Sequence, residues 1–343
     1  MTDATTFSLP EAALADYLAA HVEGFRGPLS ASKFKDGQSN PTYRVDAASG
    51  RYVLRRKPSG VLLPSAHAVD REFRVLRALQ GSAVPVARAL HLCVDESVIG
   101  SMFYVMEHVD GRVFWDPALP DVSADHRVAY YEAIIATLAA LHAVDIDAVG
   151  LGDYGKPGNY FARQIARWST QYRASETQPI AAMETLLTEL PQRCPADDGR
   201  VALVHGDYRS DNLMFAHDAP RILAVMDWEL STLGHPLADL GYLCMALRLP
   251  GQPPLPGLGG KDRAALGLPD EAALLRRYTE LSGTRVDADW PFVLAFSFFR
   301  LGAIAQGVAK RAQQGNASST QAMQAGRMAA LLALMGVRAL GEG

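Results

Sequence analysis

The 343-residue sequence has few cysteines: Cys93, Cys194 and Cys244 are the only three. Their wide separation fits neither a disulfide framework nor a zinc site, so we predict that they are small buried apolar residues. The chain also lacks an excess of one charge, because 33 basic residues face 37 acidic ones and the formal net charge is −4. This balance does not predict binding to nucleic acid or to an anionic membrane.

The sequence also lacks an unbroken apolar run of membrane-spanning length. Its most apolar late stretch, residues 291–309, is interrupted by Arg300, Gln306 and two glycines, whereas a membrane span needs about 20 largely apolar residues. A buried helix is therefore expected there. The first 22 residues are acidic and do not show the basic region and apolar stretch of a secretory signal. These absences predict a cytoplasmic protein.

The pattern of the chain changes close to Gly111. Residues 29–54 have the pattern of short strands joined by turns, with AASG as a hairpin signal, and one helix is predicted over 66–79. A strand-rich island over 201–228 interrupts the later, mainly helical part. The helices predicted in that part are 123–144, 160–172, 180–190, 237–247, 270–281, 290–312 and 321–340. The sequence thus predicts an α+β fold with an antiparallel-sheet lobe over residues 1–108 and a mainly helical lobe over residues 109–343.

The segment LVHGDYRSDNLMF, residues 203–215, carries the clearest chemical signal. Asp207 and Asn212 lie five residues apart on a predicted turn, which can present a carboxylate and an amide to one point. Phosphoryl transfer needs a group that orients and deprotonates the attacking hydroxyl, together with oxygen ligands for magnesium. Asp207 suits the first task and Asn212 the second, with the Asp-to-Asn spacing of a protein-kinase catalytic loop. His205 and Asp239 are predicted to hold this loop in place.

A second acidic pair follows in VMDWE, residues 225–229. If the apolar run before it continues as a strand, Asp227 and Glu229 point the same way. Neighbouring carboxylates repel unless a cation or a proton lies between them, and magnesium bound to nucleotide phosphates would supply that cation. The interval between Asp207 and Asp227 has room for one β-hairpin. The sequence contains no G-x-x-x-x-G-K-[ST] pattern, which argues against a P-loop kinase.

The two segments resemble those of the aminoglycoside phosphotransferase and choline kinase superfamily, which has a protein-kinase-like fold. The phrases GQSNPTY, YVLRRKP, FYVMEHVDGR, GNYFARQIARW and DWELSTLGHPLADLGY are similar to one branch of it. That branch is the phosphotransferase-like domain fused to acyl-CoA dehydrogenases in animals and free-standing in bacteria. In the fused proteins it is associated with phosphorylation of 4-hydroxyacyl-CoA. The resemblance covers nearly the whole chain, and it is far more specific for the fold than for the substrate.

The resemblance implies a role for each matching residue. It implies that Asp207 is the catalytic base and that Asn212 and Asp227 bind magnesium. Glu229 would support these ligands or bind a second metal ion. Arg55 takes the place of the lysine that contacts the α- and β-phosphates of ATP. Arginine keeps its charge and offers phosphate a bidentate fork, so this departure is compatible with function.

Further nucleotide-binding residues follow from the same resemblance. Glu72 is the helix acid that would pair with Arg55, although a structural salt bridge without ligand contact is an open alternative. The register of the phosphate-contacting arginine is open by a residue or two, because Arg56 and Lys57 follow it. The resemblance implies a loop that covers the phosphates, formed by Gly37, Gln38, Ser39 and Asn40. It also implies that the segment connecting the two lobes contacts adenine through Met106, Glu107 and His108. That loop has one glycine, where a protein kinase has G-x-G-x-x-G.

Candidate substrate residues lie in the helical part. Arg209 would reach the transferred phosphate, the alternative being a surface arginine. Arg163 and Arg167 lie four apart and share a helix face, where they would hold CoA phosphates unless that face is simply solvated. Weaker candidates of the same kind are Trp115, Tyr154, Asn159 and Tyr160.

These observations predict an ATP- and Mg²⁺-dependent phosphotransferase that acts on a hydroxyl group of a small molecule. The leading acceptor is a hydroxyacyl-CoA, a CoA thioester, and an aminoglycoside or another amino-alcohol is the second. The rival is a nucleotide-binding or scaffold protein without catalysis. The intact Asp207, Asn212 and Asp227 argue against that rival, whereas the sparse phosphate loop leaves it open. No nucleic acid or membrane partner is expected, and a homodimer is left open.

Overall fold

The structure, a computed structural model, describes residues 9–34, 40–58, 68–251, 256–286, 289–313 and 319–342. The helices are α1 (Glu11–His21), α2 (Val69–Leu79), α3 (Arg127–His142), α4 (Tyr160–Ser175), α5 (Ala181–Gln192), α6 (Leu237–Arg248), α7 (Glu271–Ser282), α8 (Trp290–Arg311) and α9 (Ser319–Leu340). The strands are β1 (Leu29–Lys33), β2 (Thr42–Ala47), β3 (Gly50–Arg56), β4 (Ala89–Cys93), β5 (Phe103–Glu107), β6 (Arg112–Val113), β7 (Ala202–Val204), β8 (Leu213–Phe215), β9 (Ile222–Val225) and β10 (Thr232–Gly234). The predicted α+β class is confirmed.

The chain divides into two compact units, and each contains two separate stretches of sequence. The first unit comprises Met1–Val113 and Leu213–Leu230, and the second comprises Phe114–Asn212 and Ser231–Gly343. The predicted boundary at residue 108 differs from this division in two respects, because the first unit continues to Val113 and takes back a later segment. The physical reason is strand pairing, since β8 pairs with both β6 and β9 in a three-stranded antiparallel sheet.

The first unit is built on a five-stranded sheet with the order β1-β2-β3-β5-β4, in which all neighbours are antiparallel. The turn predicted at AASG joins β2 to β3, with Ala47 opposite Gly50. Helix α1 covers part of this sheet and contributes Leu14 and Leu18 to the core. The other fully buried side chains of this core include Val45, Leu54, Cys93, Phe103 and Val105.

Helix α2 carries the first acidic side chain of interest into the first unit. The helix packs against β4 and β5 and against a single 3-10 turn, Trp228–Leu230, that follows β9. Its apolar residues Val69, Val75, Leu76 and Leu79 are buried, and Glu72 is buried with them. A glutamate on the buried stripe of a helix needs a charged or hydrogen-bonding partner, and its partners are described with the site below.

The second unit is mainly helical, with one two-stranded antiparallel ladder, β7–β10. Helix α8 lies at its centre and packs against α4, α5, α6 and α9. By length and composition α8 would be able to cross a membrane, yet 83% of its most apolar window is buried inside the structure. It therefore has the burial of a core helix, as predicted for the late apolar stretch.

Candidate active site

Arg55 is the centre of a charged cluster in the first unit. Its Nε lies 2.8 Å from Glu72 Oε2, and its Nη2 lies 2.7 Å from Asp227 Oδ1 and 3.5 Å from Glu229 Oε2. Strand β3 supplies the arginine, helix α2 supplies Glu72, and the segment after β9 supplies the other two acids. The pairing of Arg55 with Glu72 that the resemblance implied is therefore present in the structure.

Two neutral groups anchor Glu72 from behind. Asn40 donates its Nδ2–H to Glu72 Oε1 at 2.7 Å, and the Tyr104 hydroxyl donates to Oε2 at 3.2 Å. Burial raises the pKa of Glu72 to about 7, although the charge of Arg55 opposes this, while the carboxylates of Asp227 and Glu229 add to it. Glu72 thus belongs to a cluster in which three carboxylates surround the guanidinium of Arg55.

The prediction that Asp227 and Glu229 share one face of a strand is wrong. Strand β9 ends at Val225, Asp227 has a left-handed φ of 61°, and Glu229 lies in the 3-10 turn Trp228–Leu230. Aspartate tolerates this backbone conformation better than most residues, and the buried Trp228 donates its indole N–H to Val225 O at 3.0 Å, which holds the turn. Both carboxylates nevertheless approach the Arg55 guanidinium. The expectation that Asp227 and Glu229 lie side by side and face a cation is therefore met, although the strand is absent.

The cluster is suited to a divalent cation by charge and by ligand chemistry. Three carboxylates and one guanidinium leave two negative charges when all are ionised, and carboxylate and amide oxygens are the ligands that Mg²⁺ prefers. Within the described part of the chain, no group of three His, Cys, Asp or Glu side chains is arranged to hold a metal by itself. A magnesium ion with only one or two protein carboxylates, completed by water and substrate phosphates, fits that finding.

The residues implied for nucleotide binding are only partly described. Gly37, Gln38 and Ser39 lie outside the described residues, whereas Asn40 is buried and bound to Glu72. In the connecting segment, the Glu107 N–H donates to Arg88 O and the His108 N–H to Arg51 O. Met106 pairs with Val53 in the sheet. An adenine ring at this segment would therefore have to use other backbone groups than the Glu107 and His108 N–H.

Asp207 lies in the second unit, on the loop that leaves strand β7. Asn212 donates its Nδ2–H both to the Asp207 carbonyl at 2.8 Å and to Asp207 Oδ2 at 3.0 Å. Arg209 Nε lies 3.2 Å from Oδ1, and its Nη2 lies 3.0 Å from Asp211 Oδ2. The Asn212 amide nitrogen is thus engaged with Asp207, and its side-chain oxygen is the atom with the lone pairs that could face a cation. The Asp207 side chain remains 21% exposed, so a substrate can reach it.

A buried aspartate on helix α6 fixes the backbone of this loop. Asp239 accepts hydrogen bonds from the N–H groups of His205 at 2.6 Å and Gly206 at 2.8 Å, and His142 Nε2 lies 3.3 Å from it. Burial alone would raise the pKa of Asp239, but the His142 hydrogen bond, the charges of His142 and His205, and the Gly206 amide outweigh it and lower that pKa. The structure gives Asp239 the bracing position that the sequence suggested.

His205 has a local task in the same loop. Its side chain is fully buried, and its Nδ1 accepts a hydrogen bond from the Asp207 N–H at 3.2 Å. The positive φ of 84° at Gly206 turns the chain between them, a conformation that glycine adopts without steric cost. These contacts match a structural role for His205 in orienting the loop.

Sequence reasoning missed one group that lies near Asp207. This group is the phenol of Tyr242, a buried residue of α6, and burial together with the Asp207 charge raises the pKa of that phenol. A signal was available, because Tyr242 lies three residues after Asp239 and thus on the same helix face.

The candidate substrate arginines occupy different environments. Arg163 donates to the carbonyl oxygens of Gly158 and Lys156, so it fastens the loop before α4. Arg167 is exposed, with its guanidinium carbon 5.4 Å from the centre of the Trp168 ring. Of the weaker candidates, Trp115 is exposed, while Tyr154 and Tyr160 are buried.

One cavity of the second unit lies away from Asp207. It has a volume of about 280 Å³, and its lining includes Asn159, Tyr160, Asp198, Arg200 and His235. Arg200 precedes β7 and His235 follows β10, whereas Asp207 follows the other end of β7. The charged groups around Asp207 therefore lie apart from this cavity.

The architecture defines a class of protein, the kinase-like phosphotransferases. A ternary complex of a thermostable mutant of aminoglycoside phosphotransferase APH(4)-Ia with AMP-PNP and hygromycin B has the same fold, with a TM-score of 0.59 and 17% identity over 95% of this chain and 98% of that one. The chain belongs to the phosphotransferase enzyme family APH, whose family model matches residues 30–278.

Closer relatives refine this assignment. A protein of Ralstonia eutropha, assigned as an aminoglycoside phosphotransferase, has a crystal structure with a TM-score of 0.88 and 50% identity, covering 97% of this chain and 99% of that one. The chain is also 46% identical over 325 residues to acyl-CoA dehydrogenase family member 10 of Mus musculus, and 44% identical over 308 residues to family member 11 of Rattus norvegicus. These matches cover 94% and 88% of this chain but only 30% and 40% of the relatives. The chain therefore spans less than half the length of these curated relatives.

Proposed function

We propose that this protein is an ATP- and magnesium-dependent phosphotransferase that acts on an alcohol hydroxyl of a small molecule. The observation that carries this proposal is the arrangement around Asp207, a partly exposed carboxylate held by Asn212 and Arg209 on a loop that Asp239 braces. A positioned carboxylate is the group that phosphoryl transfer to a hydroxyl requires. The complex of APH(4)-Ia with AMP-PNP supports ATP as the donor.

Asp207 would orient the acceptor hydroxyl and take its proton. The hydroxyl oxygen forms a bond to the γ-phosphorus as the bond from that phosphorus to the β–γ bridging oxygen breaks, and ADP leaves. Arg209 lies next to Asp207 and would bind an oxygen of the transferred group. Positioning of this kind, together with charge stabilisation, accounts for most of the catalysis in phosphoryl transfer.

The first unit would bind the nucleotide phosphates through Arg55, which Glu72 holds in place. Asp227 and Asn212, with Glu229 in support, would hold magnesium, which neutralises phosphate charge when it is bound. Arg55 contacts Asp227 directly, so phosphate binding would let the guanidinium turn from this carboxylate to the nucleotide. This makes the cluster a site whose charges rearrange when ATP and magnesium arrive together.

The acceptor that we propose is a hydroxyacyl-CoA. The support comes from the relatives, because the chain matches parts of proteins named as acyl-CoA dehydrogenase family members. A phosphotransferase domain joined to an enzyme named for acyl-CoA chemistry would act on a modified acyl-CoA. The hygromycin B complex of APH(4)-Ia supports an aminoglycoside as the second class of acceptor.

Release of ADP by the purified protein tests this function, with ATP, magnesium and a panel of hydroxyacyl-CoAs and aminoglycosides. We expect release to depend on magnesium and on one class of acceptor. Asp207→Asn should lower the rate by about 100-fold or more, whereas Asp218→Asn, a change at an exposed aspartate, should leave it unchanged. Tight ATP binding without turnover of any acceptor would instead indicate a nucleotide-binding protein without catalysis.

A further inference from the structure

Arg300 is a charged residue in the apolar core helix of the second unit. It lies in the middle of α8 and is only 5% exposed. Its guanidinium carbon lies 5.6 Å from the centre of the Trp168 ring on α4 and 5.3 Å from the centre of the Tyr242 ring on α6. The guanidinium is thus held against two aromatic rings supplied by two other helices.

Among the residues that the structure describes, this buried cation has no anionic partner. None of the described residues forms an ion pair or a hydrogen bond with Arg300. No Arg300 nitrogen is both sealed from solvent and unpartnered, so the nitrogens must reach solvent through the small exposed edge. Burying a charge without a partner is costly, and contacts with aromatic rings offset only about 0.5–2 kcal/mol of that cost.

The position of Arg300 relates it to the candidate catalytic loop. The Tyr242 ring lies beside the guanidinium, and its phenol is close enough to Asp207 for the charge of that carboxylate to raise the pKa of the phenol. A single tyrosine therefore separates the proposed base from the unpartnered cation. The other arginine beside Asp207 differs, because Arg209 already has Asp207 and Asp211 as partners.

We propose that Arg300 is the anion-recognition residue of the acceptor site, and that the acceptor carries a carboxylate or a phosphate in addition to its reacting hydroxyl. This rests on the proposed phosphotransferase function and narrows its substrate class. A guanidinium packed against aromatic rings keeps its N–H groups for other partners, and its planar fork matches two oxygens of a carboxylate or a phosphate. A polycationic aminoglycoside meets electrostatic repulsion at the same point.

The test compares Arg300→Met and Arg300→Lys with the unchanged protein. Methionine removes the charge at similar length, and lysine keeps the charge without the planar fork. The control is Arg173→Met, which removes an arginine that also lies by an aromatic ring, Tyr172, but is half-exposed and paired with Glu184. Chemical denaturation shows whether each variant folds.

Four probes separate the sources of the anion. They are a free 4-hydroxy acid, the corresponding hydroxyacyl-CoA, its phosphate-free N-acetylcysteamine thioester and an aminoglycoside. Titration calorimetry measures binding without turnover, and steady-state ADP release gives KM for each acceptor and for ATP. A response to the free acid identifies a carboxylate as the partner of Arg300, and a response confined to the CoA thioester identifies a phosphate.

We expect Arg300→Met to lower the affinity for at least one anionic probe by about 10- to 100-fold. The affinity of Arg300→Lys should lie between that of Arg300→Met and that of the unchanged protein. KM for ATP and binding of the neutral thioester should not change, and Arg173→Met should behave like the unchanged protein. The proposal would be overturned if Arg300→Met lowered the affinity for anionic and neutral probes equally, or lowered neither. It would also be overturned if no anionic probe bound to the unchanged protein. Arg300-dependent binding without ADP release would contradict the phosphotransferase function and leave the anion site standing.

Discussion

At the scale of single residues, the charges around Arg55 decide how the first unit responds to ligands and to pH. Glu72, Asp227 and Glu229 all approach one guanidinium, and Glu72 is 1% exposed. Water can screen the other two acids in part, because their side chains are 34% and 23% exposed. The buried member of the cluster, Glu72, is therefore the one whose protonation is most strongly affected by folding.

The pKa of about 7 for Glu72, against an ordinary 4.5, predicts a pH dependence of stability. The folded protein binds this proton more tightly than the unfolded chain, so the stabilisation is complete below about pH 4.5 and is lost as pH rises to about 7. The free energy of unfolding of the unchanged protein minus that of Glu72→Gln should therefore fall across this range. Urea denaturation without nucleotide or magnesium measures it.

The control for this titration is Glu96→Gln, a change at an exposed glutamate of the same unit. The difference in the free energy of unfolding between the unchanged protein and Glu96→Gln should stay constant over the same pH range. A difference for Glu72→Gln that rises with pH would mean that the charge of Arg55, rather than burial, dominates the pKa of Glu72.

Much of the site at residue scale was visible in the sequence, and two parts were not. Asp207 with Asn212 was predicted as a group from spacing, and Arg55 with Glu72 from resemblance, and each pair is in contact in the structure. The proximity of the Tyr242 phenol to Asp207 was missed, and Arg300 was noted only as an interruption of an apolar stretch. The unpartnered burial of Arg300 depends on which rings α4 and α6 bring to it, and helix packing cannot be read from local sequence.

At the scale of elements, helix α6 sets the shape of the catalytic loop. Asp239 in its first turn accepts hydrogen bonds from the two loop amides, and the phenol of Tyr242 one turn later lies near Asp207. His142 connects Asp239 to the hydroxyl of Tyr278, with a distance of 2.6 Å from its Nδ1 to that oxygen. The loop is thus tied to α3, α6 and α7.

Asp239→Asn should loosen this connection. The asparagine amide group places a donor where the carboxylate accepted loop N–H groups, which leaves a buried donor unpaired. We expect a loss of about 3 kcal/mol in the free energy of unfolding and faster hydrogen exchange of the His205 and Gly206 amides. The matched control is Asp198→Asn, which changes an aspartate that also pairs with a histidine, His235, but is 42% exposed. Equal losses in the two variants would contradict the bracing role.

Gly241 allows α6 to approach α8. A β-carbon added at Gly241 would clash with Val293 Cγ1 and lie 3.3 Å from the Val293 carbonyl oxygen, whereas one added at Gly326 in α9 would meet nothing within 4 Å. Gly326→Ala should therefore stabilise the protein by about 0.5–1 kcal/mol. Gly241→Ala should destabilise it by about 1–3 kcal/mol. Thermal denaturation of both variants checks this, and stabilisation by Gly241→Ala would contradict the close approach.

Element boundaries show where sequence patterns stop being informative. The predicted helix over residues 160–172 appears as Tyr160–Ser175, and that over 290–312 as Trp290–Arg311, because helical periodicity persists over many residues. The strand predicted to continue through Asp227 instead ends at Val225. A local turn follows it, in which the Trp228 indole N–H donates to the Val225 carbonyl, and period-two patterning carries no information about such a hydrogen bond.

At the scale of the whole molecule, the family and the fold are established. The family model matches residues 30–278, and the roles that we propose fall on residues of both units. A single boundary at residue 108 could not include Leu213–Leu230 in the first unit. This segment belongs there because β8 pairs with β6, and pairing between strands so far apart in sequence cannot be read from local patterns.

The most direct measurement of the proposed activity is transfer of a labelled γ-phosphoryl group from ATP to a hydroxyacyl-CoA, followed by mass spectrometry of the acceptor. We predict a labelled phosphate ester on the acceptor hydroxyl, dependent on magnesium and lost in Asp207→Asn. Label that appears only as inorganic phosphate in the presence of every acceptor, or ester formation that Asp207→Asn leaves unchanged, would contradict the proposed activity.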